Sequence, residues 1–120
     1  MALARTDLTP VYQVGAASTV GVVTVGSAQT CYIKSIMIHN LSQSSSQNVD
    51  IHIVPNSSGS VGSSSSTTQI ARLGIGTDDT FFFEPAYPIT LVSNGDTIQV
   101  ENEGQTPSAL NVIVLGDKEA

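Results

Sequence analysis

Most apolar residues of this chain recur with a period of two, in short segments set between polar stretches. Ile36 and Ile38 alternate with Ser35, Met37 and His39, and Val49, Ile51 and Ile53 alternate with Asp50 and His52. Ile98 and Val100 alternate with Gln99 and Glu101, and Leu110, Val112 and Val114 close the series. Successive side chains of a strand point to opposite faces, so each such segment has one face for a core and one for solvent or a partner. No segment reads as a convincing helix. The chain is therefore all-β, and its function must come from surfaces and loops.

The pattern predicts strands over residues 11–14, 19–25, 30–40, 48–54, 69–75, 80–84, 89–92, 97–102 and 109–115. Segments 30–40 and 48–54 read as a hairpin across the polar loop 41–47, with Ile36 facing Ile53 and Ile38 facing Ile51. A slip by one residue would bury Asp50 and His52 in place of the isoleucines, which fixes that register. Segments 97–102 and 109–115 read as a final pair. Ser93-Asn94-Gly95-Asp96 is a turn, and the Ser, Gly and Thr of 56–68 form an exposed loop, long for a connection inside a compact domain. Such spacing without βα alternation predicts an antiparallel β-sandwich of jelly-roll or related Greek-key topology with about eight strands. The expected organisation is an N-terminal arm at 1–10, one sandwich domain at 11–116 and an acidic C-terminal tail at 117–120.

Charge narrows the function classes. Only 12% of residues are Asp, Glu, Lys or Arg, roughly half the usual share of about 25%. A surface so poor in charge suits a secreted module or a subunit largely covered in a permanent assembly. Arg5, Lys34, Arg72 and Lys118 are the only basic residues against a net charge of −6, so nothing tracks a phosphate backbone and no nucleic-acid partner is expected. Aromatics amount to 5% with no Trp, which disfavours a sugar-stacking platform. No apolar run reaches the ~18 residues of a membrane span. Arg5 and Asp7 interrupt any apolar signal core in the first ten residues, and the expectation is a product made in a cytoplasm and assembled into a particle inside the cell. Cys31 has no partner for a disulfide and reads as a small buried apolar side chain.

Three stretches carry a resemblance. They are Tyr32-Ile33-Lys34-Ser35-Ile36-Met37-Ile38-His39-Asn40, Val49-Asp50-Ile51-His52-Ile53-Val54-Pro55 and Leu91-Val92-Ser93-Asn94-Gly95-Asp96-Thr97-Ile98-Gln99-Val100. With the apolar strand before Gly116, this pattern resembles small β-sandwich virion accessory proteins of tailed bacteriophages. The resemblance implies a capsid decoration or cement subunit that stabilises the head by bridging capsomers, or else a tail, baseplate or fibre component. It brings no catalytic residues. The implied partners are the major capsid protein or other virion proteins and further copies of the chain, a trimer suiting a capsid three-fold position. The implied location is the virion, assembled in the host cytoplasm. A carbohydrate-binding module using the Ser-rich loops is the alternative from another class.

Few residues offer chemistry. With the hairpin register above, His39, Asp50 and His52 share an outward face, the makings of a two-histidine, one-carboxylate site. An exposed histidine–aspartate pair with a second histidine nearby is the preferred interpretation, and no metal or cofactor is predicted. Glu101 and Glu103 share a strand face as a solvated edge, and Asp78-Asp79 caps a turn. No Gly-X-Ser-X-Gly elbow is present. The chain is not expected to be an enzyme. Predicted protein contacts are Leu3 and Leu8 in the arm and the run Phe81, Phe82 and Phe83, which cannot all point to one side of a strand.

Overall fold

The computed structural model describes residues 3–7, 11–92, 94–104 and 109–119. Its strands are β1 (Leu3–Asp7), β2 (Tyr12–Gly15), β3 (Ser18–Thr24), β4 (Thr30–Asn40), β5 (Gln47–Val54), β6 (Gln69–Ile75), β7 (Thr80–Phe83), β8 (Ile89–Leu91), β9 (Thr97–Asn102) and β10 (Ala109–Glu119). Every pairing is antiparallel. One sheet has the order β1-β10-β4-β7, with β2 lying on β10 beside β1 and β8 lying on β4 beside β7. The other has the order β3-β9-β5-β6. Each edge position of the first sheet is thus filled by two short strands in succession. Counted by position, four face four, and the order is that of a jelly roll built from two Greek keys.

The alternating residues meet between the sheets. Ile33, Ile36, Ile38, Leu110, Val112 and Val114 come from the first sheet, and Val49, Ile51, Ile98 and Val100 from the second, all with 0% exposure. Burying each such side chain is worth roughly 1.5–3 kcal/mol, so this aliphatic layer holds the fold without a disulfide. Cys31 is buried within it. Burial pushes its thiol above the ordinary cysteine range, against a smaller opposing effect of the Lys118 charge.

The predicted hairpin is not formed. β4 pairs with β10, β7 and β8, whereas β5 pairs with β6 and β9 in the opposite sheet. Ile36 is therefore opposite Val114 and Phe83, and Ile51 is opposite Val100 and Ala71. Likewise β9 and β10 lie in different sheets and do not pair. In both cases the polar loop is a crossover between layers. Alternation dictates which face of a strand is buried, and both arrangements bury the same faces.

A buried asparagine ends the strand at each of these crossovers. Asn40, with 0% exposure, directs Nδ2 at the carbonyls of Ser45, Ile75 and Gly76 at 3.1, 3.2 and 3.0 Å, and its Oδ1 accepts from Ser42 N–H at 2.9 Å. Asn102, equally buried, donates to the Val14 carbonyl at 3.3 Å and accepts from Gly104 N–H at 2.8 Å.

Residues 3–7, within the segment expected as an arm, form β1 along the C-terminal half of β10, so Leu3 stands opposite Glu119. Leu8 lies outside the described residues. Asp117, Lys118 and Glu119 continue β10 beyond a bulge at Leu115/Gly116.

The Ser/Gly-rich segment is tied to the sandwich. Asp96 Oδ1 accepts from Asn56 N–H and Nδ2 at 2.8 and 2.9 Å, and Gln99 Nε2 donates to the Gly62 carbonyl at 3.2 Å. Gly95, at φ +96°, sits where a Cβ would lie 2.8 Å from the Ser60 carbonyl oxygen, so only glycine lets the two loops meet. The segment folds over one end of the second sheet's outer face and covers Val54, which is 1% exposed there.

Candidate functional site

The two outer faces of the sandwich differ in chemistry. On the first sheet, residues between the inward-facing ones of β4 and β10 point outward, and they are not all polar. Met37 is opposite Ile113 on one side and Phe82 on the other. Val11 joins them, and Val11, Met37 and Ile113 line a shallow groove of about 420 Å³ with His39, Asn111 and Thr80. Val11 is 61% exposed and Phe82 55%. An outer sheet face of an isolated sandwich is ordinarily polar, whereas here an apolar stripe crosses three adjacent strand positions.

The phenylalanine run divides as the geometry of a strand demands. Phe83 packs against the core, Phe82 points outward beside Met37, and Phe81, opposite Ile38, remains 37% exposed at the edge. His39 lies on this same outer face, with Nδ1 2.8 Å from Thr80 Oγ1 and Nε2 3.4 Å from Asp78 Oδ1. Asp78 belongs to the turn before β7, as expected, where its φ is +55°.

His39 is therefore separated from Asp50 and His52, which project from the outer face of the opposite sheet. The postulated grouping of His39, Asp50 and His52 does not exist, because it depended on the hairpin. A different cluster takes its place. In the second sheet, β5 lies between β6 and β9, which sets Asp50 beside Arg72 and Glu101 and His52 beside Gln99. His52 Nε2 is 3.1 Å from Glu101 Oε1, and Arg72 Nη2 donates to Glu103 Oε1 at 3.1 Å. Asp50 and His52 are 4% and 3% exposed although they face outward. The turn at 65–68 closes over His52, with Thr68 Oγ1 at 3.0 Å from its Nδ1. Asp50 Oδ1 and Glu103 Oε2 are buried without a hydrogen-bond partner of the ordinary kind.

Asp50 and Glu103 stand as two carboxyl groups in mutual contact, an arrangement that calls for a shared proton. Hydrogen bonding to Asp50 holds the Glu103 carboxyl above its usual range. Burial and the Asp50 charge add to this, and the Arg72 guanidinium opposes it. A carboxyl raised in the folded state contributes stability that is complete below its unfolded pKa, near ~4.3. That contribution is lost as pH rises through the folded value. Glu103→Gln should therefore gain stability relative to the parent as pH rises from 4 to 7. Urea unfolding in the presence of a chelator measures this; a constant or declining difference would refute it.

The residues present define an antiparallel β-sandwich of jelly-roll order, with an apolar stripe on one outer face and a buried acid–histidine cluster on the other. Among solved structures, the chain is similar to that described as "Crystal structure of PirA". The TM-score is 0.52 and the identity 13%, over 92% of this chain and 96% of that one. This likeness establishes the fold alone. No protein-family model and no curated protein matches the chain.

Proposed function

We propose that the chain is a non-enzymatic structural subunit of a phage particle, of the capsid decoration or cement kind. It docks through the outer face of the first sheet onto the assembled shell. The apolar stripe of Val11, Ile113, Met37 and Phe82 carries this proposal. Its flanking groups, His39, Asn111 and Thr80, offer hydrogen bonds with little charge to desolvate. Such a face matches a protein surface of low charge better than a nucleic acid or an anionic membrane. The small charged fraction of the whole chain, 12%, supports a molecule that spends its working life covered by neighbours.

The mechanism is mass action. A subunit that binds the assembled shell and not its dissociated parts adds its binding free energy to the assembled state. Bridging adjacent capsomers multiplies this over every site on the particle, so rupture requires many contacts to be lost together. Further copies of the chain around a three-fold position are part of the proposed arrangement.

Electron cryo-microscopy and quantitative mass spectrometry of the virus encoding the chain test the proposal. Hundreds of copies on the outer head surface, with the first sheet facing the shell, are expected. Six or twelve copies at the tail would replace the decoration role with a tail role, and absence from the particle would end the proposal.

A further inference from the structure

We propose that Asp50, His52 and Glu101 form a binding site for one divalent transition-metal cation of the zinc class, with Glu103 as an adjacent carboxylate. One donor atom from each of the three residues lies within 4.8 Å of the others. They come from neighbouring strands, β5 and β9, whose direct pairing Asp50↔Glu101 fixes their spacing. Rigid strands are a better platform for ligands than loops, because the donors keep their places when the ion is absent.

Two further observations separate this cluster from an ordinary patch of surface acids. The first is Asp50: the residue is 4% exposed and its Oδ1 accepts from no N–H or hydroxyl group, so that without an ion its charge is met only by the proton shared with Glu103 and by Arg72 on the neighbouring strand. A carboxylate so buried is costly unless a positive centre meets it.

The second is the orientation of His52. Thr68 Oγ1 accepts from Ser65 N–H at 3.0 Å and lies 2.9 Å from the Ser65 carbonyl and 3.0 Å from His52 Nδ1. The tautomer in which the Thr68 hydroxyl turns to the Ser65 carbonyl and His52 Nδ1–H donates to Thr68 leaves the Nε2 lone pair directed at Glu101 Oε1, 3.1 Å away, and open to a metal. Without a cation the other tautomer donates Nε2–H to Glu101, and an ion bound between the two displaces that hydrogen. Holding the remote ring N–H through a fixed acceptor is how proteins orient an imidazole toward a metal. Here the acceptor belongs to the Ser-rich segment, so an ion at this site would clamp that segment to β5 and β9.

The donor set selects the ion. One imidazole nitrogen with two or three carboxylate oxygens suits Zn²⁺ and its first-row neighbours. Calcium and magnesium prefer an all-oxygen shell, and Ca²⁺ takes about 6–8 ligands.

The test uses the full-length chain freed of metal by a chelator and then titrated with Zn²⁺, with Mg²⁺ and Ca²⁺ as comparisons. One Zn²⁺ per chain should bind, with a rise in melting temperature of roughly 10 °C at about 100-fold excess over Kd. Mg²⁺ and Ca²⁺ should produce no comparable shift. Glu101→Gln and His52→Gln should weaken Zn²⁺ binding at least about tenfold, while His39→Gln should leave it unchanged. Glu101 is 38% exposed in its side chain, so Glu101→Gln keeps the fold even if His52→Gln does not. X-ray absorption on the unmodified, zinc-loaded chain should give a nitrogen and oxygen shell at about 2.0–2.1 Å with one imidazole. The proposal is overturned by no saturable binding below about 100 μM. Binding that survives Glu101→Gln, binding lost with His39, or a shell containing the Cys31 sulfur would overturn it equally.

Discussion

A chain carrying Met37→Ser and Phe82→Ser should fold as the parent does and bind the particle at least about 100-fold more weakly, since truncated aromatic anchors at interface centres each cost 2 kcal/mol or more. The two side chains are cross-strand neighbours on the outer face of the first sheet, and neither fills the layer between the sheets. Phe82 is 55% exposed in the isolated chain, so its removal changes folding stability by less than about 1 kcal/mol. Binding to purified shells lacking the subunit, measured beside urea unfolding of the free chain, separates the two effects. Unchanged binding would show that the stripe is not the docking surface. A loss of binding that merely tracks a loss of folding would argue equally against it.

The largest effect on the isolated fold is expected at Asn40. Asn40→Ala removes the donor shared among three carbonyls and the acceptor for Ser42 N–H, at a position with 0% exposure. Polar groups left unsatisfied in such a place cost about 1–3 kcal/mol each, with partial relief from water. A net loss of about 2–4 kcal/mol follows, a large fraction of the roughly 5–15 kcal/mol that holds a domain together. The melting temperature should fall by about 10 °C. Asn102→Ala should cost less, about 1–2 kcal/mol, because that side chain makes two hydrogen bonds, one of them 3.3 Å long. Equal effects at the two sites, or a loss below about 0.5 kcal/mol at Asn40, would show that the crossover is held by its backbone alone.

Much of the architecture is legible in the sequence because burial and strand period are both local properties. The alternation around Ile36 and Ile38, and around Ile98 and Val100, marks the residues that face the core. Partner choice is not local. The short polar links 41–46 and 103–108 satisfy either a hairpin or a crossover, and the side chain that decides the first, Asn40, is an unremarkable strand-terminal residue in the sequence. Its role depends on carbonyls 35 and 36 positions away at Ile75 and Gly76.

The same non-locality governs the two outer faces. Asp50 with His52 and Glu101 with Glu103 each stand two residues apart, a spacing that places both members of a pair on one side of a strand. Nothing in the sequence says that β9 lies beside β5, and on that neighbourhood the whole cluster depends. The burial of His52 owes more to the turn at 65–68 than to its own strand. The apolar stripe did leave a trace. Ile36-Met37-Ile38 and Val112-Ile113-Val114 are unbroken apolar triplets in otherwise alternating strands, and such triplets make both faces of a sheet apolar.

The margins of the two sheets bear on how the chain would behave in the crowded lattice proposed above. Along one rim of the first sheet the ladder is carried by β7 and β8, of four and three residues, with Pro85 and Pro88 between them. In the second sheet, irregularities at Gly21/Val23 and at Ile51/His52 disturb the pairing of both outermost strands. Interrupted or bulged borders are poor templates for strand addition from another molecule. Under the proposed role, many copies would stand shoulder to shoulder at high local concentration without zipping into fibrils, their cohesion left to the broad faces of the sandwich.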